Sequence, residues 1–422
     1  MNSIFIVLAG LVFFGLGYRF YAKFIGQKIF SINRYFGELP SHEFEDGLDF
    51  VPTKKEILFG HHFTSIAGAA PIIGPCIAAF WGWLPAFLWI VFGAIFMGAV
   101  HDFGVLVVSL REKGKTIADI TGNIINNRVR TMFLLFVMLL TWLVLAVFAM
   151  AIAGLFVNIP TSVLPVNIEI ILALVIGYFL YRKKIDSLIP SIIALILLYI
   201  FVYIGSFTPF SFESLGMDKS TQSQVWIVLL FLYSGVASLL PVWLLLQPRD
   251  YINSHQLVLG LALIFIGIIV AQPLIDAPMI RVSGGNIPNI FPLLFVTIAC
   301  GAISGFHGLV SSGTTSKQVA SIKDAKMIGY GAMLGEGVLA LASMIAAVAG
   351  IALVTNCTLP SVGHVDNLNW YVYYDTWENA TTNKATAFVL GGGALIESLG
   401  IPSNLAKTIM AVLVVSFAAT TL

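Results

Sequence analysis

The sequence predicts an all-α polytopic membrane protein of about 12 helices, and three observations carry that prediction. Of the 422 residues, 58% are hydrophobic and 10% charged, against about 25% charge in soluble domains; mean hydropathy is +0.94. Apolar segments recur along the whole chain, most of them long enough to supply the ~20 helical residues that cross a bilayer. One of them, Gly60 to Phe80, carries Gly68, Pro71, Gly74 and Pro75 in its middle. Proline removes a backbone donor and glycine costs helix stability. Non-helical backbone at membrane depth survives only inside protein or beside a polar cavity. The stretch therefore reads as a broken transmembrane helix, with His61 and His62 at one end and Thr64 and Ser65 beside the break. A proline-kinked packing helix is the plainer alternative.

The first apolar segment, 2–22, has no basic region ahead of it; Arg19, Lys23 and Lys28 come at its end and after it. This predicts a retained first helix with its N-terminus outside and argues against a cleaved signal peptide. Further apolar segments fall at 57–80, 83–109, 131–157, 166–181, 187–206, 224–246, 254–276, 292–312, 327–355, 386–400 and 403–422. Those at 166–181 and 386–400 are short for a span and read as tilted, or as re-entrant in the second case. If all of them cross, the loops alternate sides. One side then holds 18 lysines and arginines, from Arg19 to Lys326, and the other only Lys219, Arg281 and Lys384. Basic loops stay cytoplasmic, so helix 57–80 runs from the cytoplasm outward.

The outer loop 356–385 is dense in aromatics (Trp370, Tyr371, Tyr373, Tyr374, Trp377), which suits the membrane–water boundary or a lid over an outer vestibule. The inner loop 30–56 is polar and reads as a solvated surface. No phosphate-binding loop or dinucleotide fingerprint is present, and Gly391-Gly392-Gly393 reads as helix packing or a helix break. Three cysteines, Cys76, Cys300 and Cys357, form no disulfide framework. A net charge of +1 gives no reason to expect a nucleic-acid partner, and the sequence offers no cofactor or metal signature and no catalytic constellation of an enzyme.

Ionisable residues at membrane depth or its edge are few: His61, His62, His101, Asp102, His307, Glu336 and Glu397. Such residues are costly and functional by default. Glu336, between two glycines, is a carboxylate for a proton or a substrate amine, or one satisfied by neighbouring hydroxyls. Asp102 reads equally as a salt link to a basic loop and as a proton relay, and His307 as a relay or a core histidine. A metal site at His61-His62 is disfavoured, because adjacent helical residues point ~100° apart and no further ligand spacing supports it. Segment 224–246 carries Ser234, Ser238 and Pro241 and is a second candidate for interruption. Segment 292–312 runs on into Ser311, Ser312, Thr314, Thr315 and Lys317; the hydroxyls suit a desolvated Na⁺, and the lysine suits a proton-coupled substitute for it.

Counting five spans from segment 57–80, the sixth begins at 224–246, and the odd offset of five orients the two interrupted segments oppositely. Inverted five-helix repeats with discontinuous helices meeting near the midplane, as in the leucine-transporter fold, have that signature. Segment 292–312 is then the eighth core helix.

Several stretches resemble the carbon starvation (CstA-type) transporter family: Gly60 to Pro75, Leu240 to Tyr251, Cys300 to His307, Ser311 to Thr315 and Gly329 to Leu334. The resemblance implies a secondary transporter of the cytoplasmic (inner) membrane, similar to amino acid–polyamine–cation transporters and associated with uptake of short peptides, or in some members of pyruvate with protons, when carbon is scarce; the residues themselves leave the coupling ion as H⁺ or Na⁺. Family members continue beyond Leu422, so the expected division is a first helix and cytoplasmic loop, 1–56, and a transporter core, 57–422, truncated at its C-terminus. On the residue reading, Ser65, Gly68, Ala69, Pro71, Gly74, Ser234 and Ser238 are candidates for substrate. His61, His62, Ser311, Ser312, Thr314, Thr315, Lys317 and Glu336 are candidates for ion or proton coupling. A channel or a transport-like nutrient sensor is the alternative from another class.

Overall fold

The computed structural model describes the chain except residues 35–36, 184–187, 282–286, 304–305, 360–362, 383 and 422. Lys184 of the basic loops, Ser304 and Gly305 of segment 292–312, and Leu422 thus lie outside the described residues. The chain opens with α1 (Ser3–Arg34). The predicted broken helix follows as α2 (Lys55–Ala67) and α3 (Ala70–Trp81), bent by 44°. Then come α4 (Trp83–Arg111), the short α5 (Ile117–Ile124), α6 (Asn127–Asn158), α7 (Pro160–Phe179) and α8 (Leu188–Gly205). Helix α9 is Lys219–Ala237 and α10 is Leu246–Ala271. Segment 292–312 is divided into α11 (Ile290–Thr297), α12 (Ala299–Ala302) and α13 (Phe306–Gly313). Helix α14 (Ile322–Leu353) leads to an antiparallel hairpin, β1 (Asn356–Leu359) and β2 (Gly363–Asp366). The last elements are α15 (Trp370–Tyr373), α16 (Trp377–Thr382), α17 (Thr386–Glu397) and α18 (Ser403–Thr421).

The protein is an all-α polytopic membrane protein with one small hairpin. Among the described residues, eight helices are long and apolar enough to cross a membrane, or nine when the bent pair counts as one span. The sequence predicts about 12, and the difference has local causes. Helix α9 opens on the polar run Lys219 to Gln224, α17 has 12 residues, and segment 292–312 is broken into short pieces. Segment 224–246 is interrupted within the expected run of small residues and proline: α9 continues through Ser234 and ends at Ala237, before Pro241.

The core is built around α14. Its most apolar stretch is 83% buried, and that of α18 is 78% buried, whereas that of α6 is 11% buried and presents Leu139, Trp142 and Leu143 outward. Outward apolar side chains are at home in lipid. Helix α14 packs on α3 and α4, and α2 packs on α10, α14 and α18. Near the basic loops, Asp119 of α5 sits below the usual carboxylate range, held first by the Thr116 hydroxyl and then by Arg130.

The aromatic loop closes over the far end of α3. The Tyr374 hydroxyl donates to the Cys76 carbonyl at 2.6 Å and the Trp370 indole to the Ala79 carbonyl at 3.1 Å. Carbonyls left open by the end of α3 are thereby satisfied. The Arg281 guanidinium lies 4.3 Å from the Phe80 ring centroid and donates to the Tyr374 and Asp375 carbonyls.

The triple glycine is a packing device. A Cβ on Gly391 would stand 2.1 Å from the Ala346 carbonyl oxygen, whereas one on Gly393 would meet nothing closer than 3.4 Å. Gly391→Val is therefore expected to cost ~1–3 kcal/mol by overpacking, read as a lower melting temperature in detergent, with Gly393→Ala close to wild type.

Candidate functional site

The site begins at the break. Gly68 adopts φ +50, ψ −152, a region open essentially to glycine alone, and a Cβ there would stand 2.7 Å from Thr421 Oγ1. Pro71 begins the second half at a position where its missing N–H costs nothing, and Pro75 is carried inside α3. The turn at Gly68 ends the helical ladder of α2, with the Gly68 amide still reaching the Thr64 carbonyl at 3.4 Å. Helix α18 adds contacts there: Thr420 Oγ1, 2.7 Å from the Phe417 carbonyl of its own helix, is 3.1 Å from that of Thr64, and Thr421 Oγ1 donates to the Ser65 carbonyl at 3.5 Å.

A charge meets the same stretch of α18. Arg249 of α10, only 3% exposed, donates to the carbonyls of Ala419 (3.1 Å) and Thr420 (3.0 Å) and to the Tyr233 hydroxyl (2.6 Å). Its Nε reaches Asp250 Oδ1 at 3.3 Å. The other oxygen of Asp250 is 2.6 Å from His61 Nδ1 and accepts from Ser65 Oγ at 3.2 Å. Glu169 of α7, also buried, accepts from Ser416 of α18 at 2.6 Å and lies within the electrostatic reach of Arg249 and Asp250. His61, Ser65, Asp250, Arg249 and Glu169 thus form one buried cluster on five side chains from three helices.

His62 turns to the other face of α2, as the helical period requires. Its Nε2 is 2.9 Å from Asp102 Oδ2 and its Nδ1 is 2.8 Å from Thr315 Oγ1. Ser311 of α13 donates to the second oxygen of Asp102. Of the two sequence readings of Asp102, the structure places it with His62 and Ser311 and not with a basic loop. Close by, His307 Nε2 is 2.5 Å from Glu336 Oε2, both fully buried; His101 interacts electrostatically with both Asp102 and His307. The hydroxyl-satisfied reading of Glu336 gives way to a histidine partner.

The other predicted residues lie apart from these clusters. Ser312 donates to the Gly308 carbonyl and accepts from the Ile117 amide, tying α13 to α5. Thr314 is half-buried at the end of α13. Lys317 reaches outward to Asp49 at 3.3 Å and lies over the Phe50 ring, so the hydroxyl run and Lys317 do not converge on one point. Ser238 is exposed and donates to the Gly235 carbonyl, and Ser234 is half-buried on α9. Ala69 and Pro71 are buried, with Pro71 against Gly301, and Gly74 faces the Thr297 carbonyl so closely that a Cβ would come within 2.4 Å.

Sequence reasoning passed over Arg249, Asp250, Glu169, Tyr233, Thr420 and Thr421. A signal existed for Glu169, a lone carboxylate inside an apolar segment. Arg249 and Asp250 fell in the gap between two apolar segments and read as loop.

Buried ion-paired groups gathered at a helix break define the class: a multi-pass membrane protein organised around polar groups at membrane depth. The model of the Carbon starvation protein CstA family matches residues 2–422, and the chain belongs to that family. Among its relatives are the Peptide transporter CstA of Helicobacter pylori, 36% identical over 82% of this chain and 51% of the relative. The Pyruvate/proton symporter BtsT of Escherichia coli is 36% identical over 82% of this chain and 49% of the relative. The Peptide transporter CstA of Bacillus subtilis is 35% identical over 83% and 58%. The chain spans about half the length of the relatives it matches. No solved structure matches it.

Removing one partner of a buried pair strands the other, at ~3–5 kcal/mol. Asp102→Ala is therefore expected to lower thermal stability by that order, and Asp102→Asn, which keeps hydrogen bonds to His62 and Ser311, by clearly less; melting in detergent compares them.

Proposed function

We propose that the chain forms the core of a proton-coupled secondary transporter that takes up short peptides or pyruvate across the cytoplasmic membrane during carbon starvation. The observation that carries this reading is the pair of adjacent histidines on the broken helix, each 2.6–2.9 Å from a buried carboxylate on a different helix. Histidine changes charge near neutrality, and a proton arriving at either pair alters what holds α2 in place. A proton-coupled relative and peptide-transporting relatives at similar identity agree with it.

On this reading His61, His62 and Glu336 accept coupling protons, with Ser311 and Thr315 orienting the His62–Asp102 pair. Ser65 and the backbone from Gly68 through Ala69 and Pro71 to Gly74 receive the substrate when the halves of the helix separate. Ser312, Thr314 and Lys317 are then ties to the cytoplasmic surface, and Ser234 and Ser238 flank the path from α9. The architecture is twelve crossings with an inverted five-helix repeat, supported by a helical element in each of the twelve apolar segments and by interruptions after α2 and α9. The N-terminus lies outside, supported by the distribution of basic residues.

Two outcomes follow. Proton-driven uptake of labelled pyruvate or a labelled dipeptide into proteoliposomes is expected to fall at least about tenfold, ~1.4 kcal/mol, in His62→Gln and in Glu336→Gln, with membrane expression unchanged. With a membrane-impermeant thiol reagent, Lys113→Cys is expected to react only from the cytoplasmic side and Lys219→Cys only from outside; the reverse pattern would invert the topology.

A further inference from the structure

The substrates named for the two kinds of relative differ in size and in most of their chemistry, but short peptides and pyruvate share a carboxylate. Among the described residues, one deeply buried Lys or Arg lies beside the helix break, Arg249. A guanidinium is the side chain best matched to a carboxylate, through two parallel hydrogen bonds. Its present carboxylate partner does not use that geometry: Asp250 meets Arg249 through Nε alone, at 3.3 Å, while its other oxygen is engaged by His61 and Ser65.

We propose that Arg249 is the anchor for the substrate carboxylate, and that Asp250 is its resident stand-in, released when the His61–Asp250 pair takes up a proton. This rests on the transporter reading above and deepens it by naming the recognised group.

Charge counting supports the exchange. The groups facing Arg249 and Asp250 are His61 of α2, Tyr233 of α9, Glu169 of α7 and, through carbonyls and Ser416, α18. On the remaining faces of α2, Asp102 is engaged with His62, and Glu336 of α14 with His307. Lys407 of α18 lies at that helix's other end, beside Gly393. The Arg249–Asp250 pair balances one positive charge against one negative. Adding one carboxylate and one proton together leaves the charge of the cluster unchanged, whereas adding a carboxylate alone leaves one more negative charge in a medium where uncompensated charge is costly. The proton has a place to go: His61 Nε2 is buried and has no hydrogen-bond partner among the described residues. No covalent bond changes; a proton binds the His61–Asp250 pair, Asp250 gives up Arg249, and the substrate carboxylate takes its place. The same movement bears on the break, because Arg249 also holds the Ala419 and Thr420 carbonyls of the helix that satisfies Thr64 and Ser65.

The test is exchange of labelled pyruvate and labelled Ala-Ala in proteoliposomes of the full chain, without an imposed gradient, in the presence of unlabelled competitors. Pyruvamide and the C-terminal amide of Ala-Ala are expected to compete ~30-fold or more worse than the parent acids, the loss that follows from leaving a buried charge unpaired. The half-saturation constant of the wild type is expected to rise as pH rises, because a proton enters with the carboxylate. Asp250→Asn is expected to flatten that dependence, and Arg249→Lys to weaken acid binding about tenfold or more while the protein still elutes as a folded species. Equal competition by acid and amide overturns the proposal on wild-type protein alone, whether or not the variants fold. A wild-type pH dependence in Asp250→Asn also overturns it. Exchange of neither substrate by wild type overturns the transporter reading itself, and this inference with it.

Discussion

An interruption of the backbone inside a membrane leaves carbonyls that water cannot reach, and satisfying them organises the centre of this protein. Gly68 turns the chain, and Thr64 and Ser65 then look to Thr420 and Thr421. Beside those hydroxyls, Arg249 donates to the Ala419 and Thr420 carbonyls of α18. A buried guanidinium in turn requires carboxylates, present as Asp250 and Glu169, and each carboxylate requires donors, present as His61, Ser65 and Ser416. A chain of polar contacts thus joins α2, α7, α9, α10 and α18 beside the break, in surroundings where leaving a polar group unpaired is costly.

The side-by-side histidines look redundant in the sequence and are not. Successive helical residues diverge by ~100°, so His61 addresses α10 while His62 addresses α4 and the residues after α13. Helix α2 consequently sits between two clusters that share no side chain. The geometry that argues against a shared metal ion is the same geometry that lets a single turn of helix touch two sets of partners.

Much of this was legible in the sequence, and what was not has physical reasons. The break in 57–80 followed from four residues with specific backbone consequences, and the structure narrows it to Gly68, the one that takes a positive φ. The packing role of Gly391 also followed, since a residue without a side chain in an apolar helix permits close approach. The partner of Asp102 did not, because composition reports a buried charge but not what lies across the fold, and Ser311 is 209 residues away. Arg249 and Asp250 were misread for a related reason: a hydropathy pattern takes two charges as the edge of a span, whereas here they mutually compensate inside one. Lys317 erred in the opposite direction. Its hydroxyl-rich surroundings suggested a cation site, but a lysine on a short helical turn after α13 reaches the aqueous loop carrying Asp49 more cheaply than it enters the core.

The two halves of the broken helix are held by different kinds of force. Helix α3 is fixed by close backbone approach and by neutral hydrogen bonds: Gly74 lies against Thr297, Pro71 against Gly301, and its terminal carbonyls accept from Trp370 and Tyr374. None of those contacts depends on a proton count in the physiological range. Helix α2 adds to its apolar packing two clusters in which histidine faces carboxylate, and the strength of each depends on how many protons it holds. Between them stands Gly68, whose backbone conformation is open essentially to glycine alone. On the proposed reading, a change in protonation acts on one side of Gly68 and leaves the other anchored, the asymmetry that converting charge into a change of angle requires.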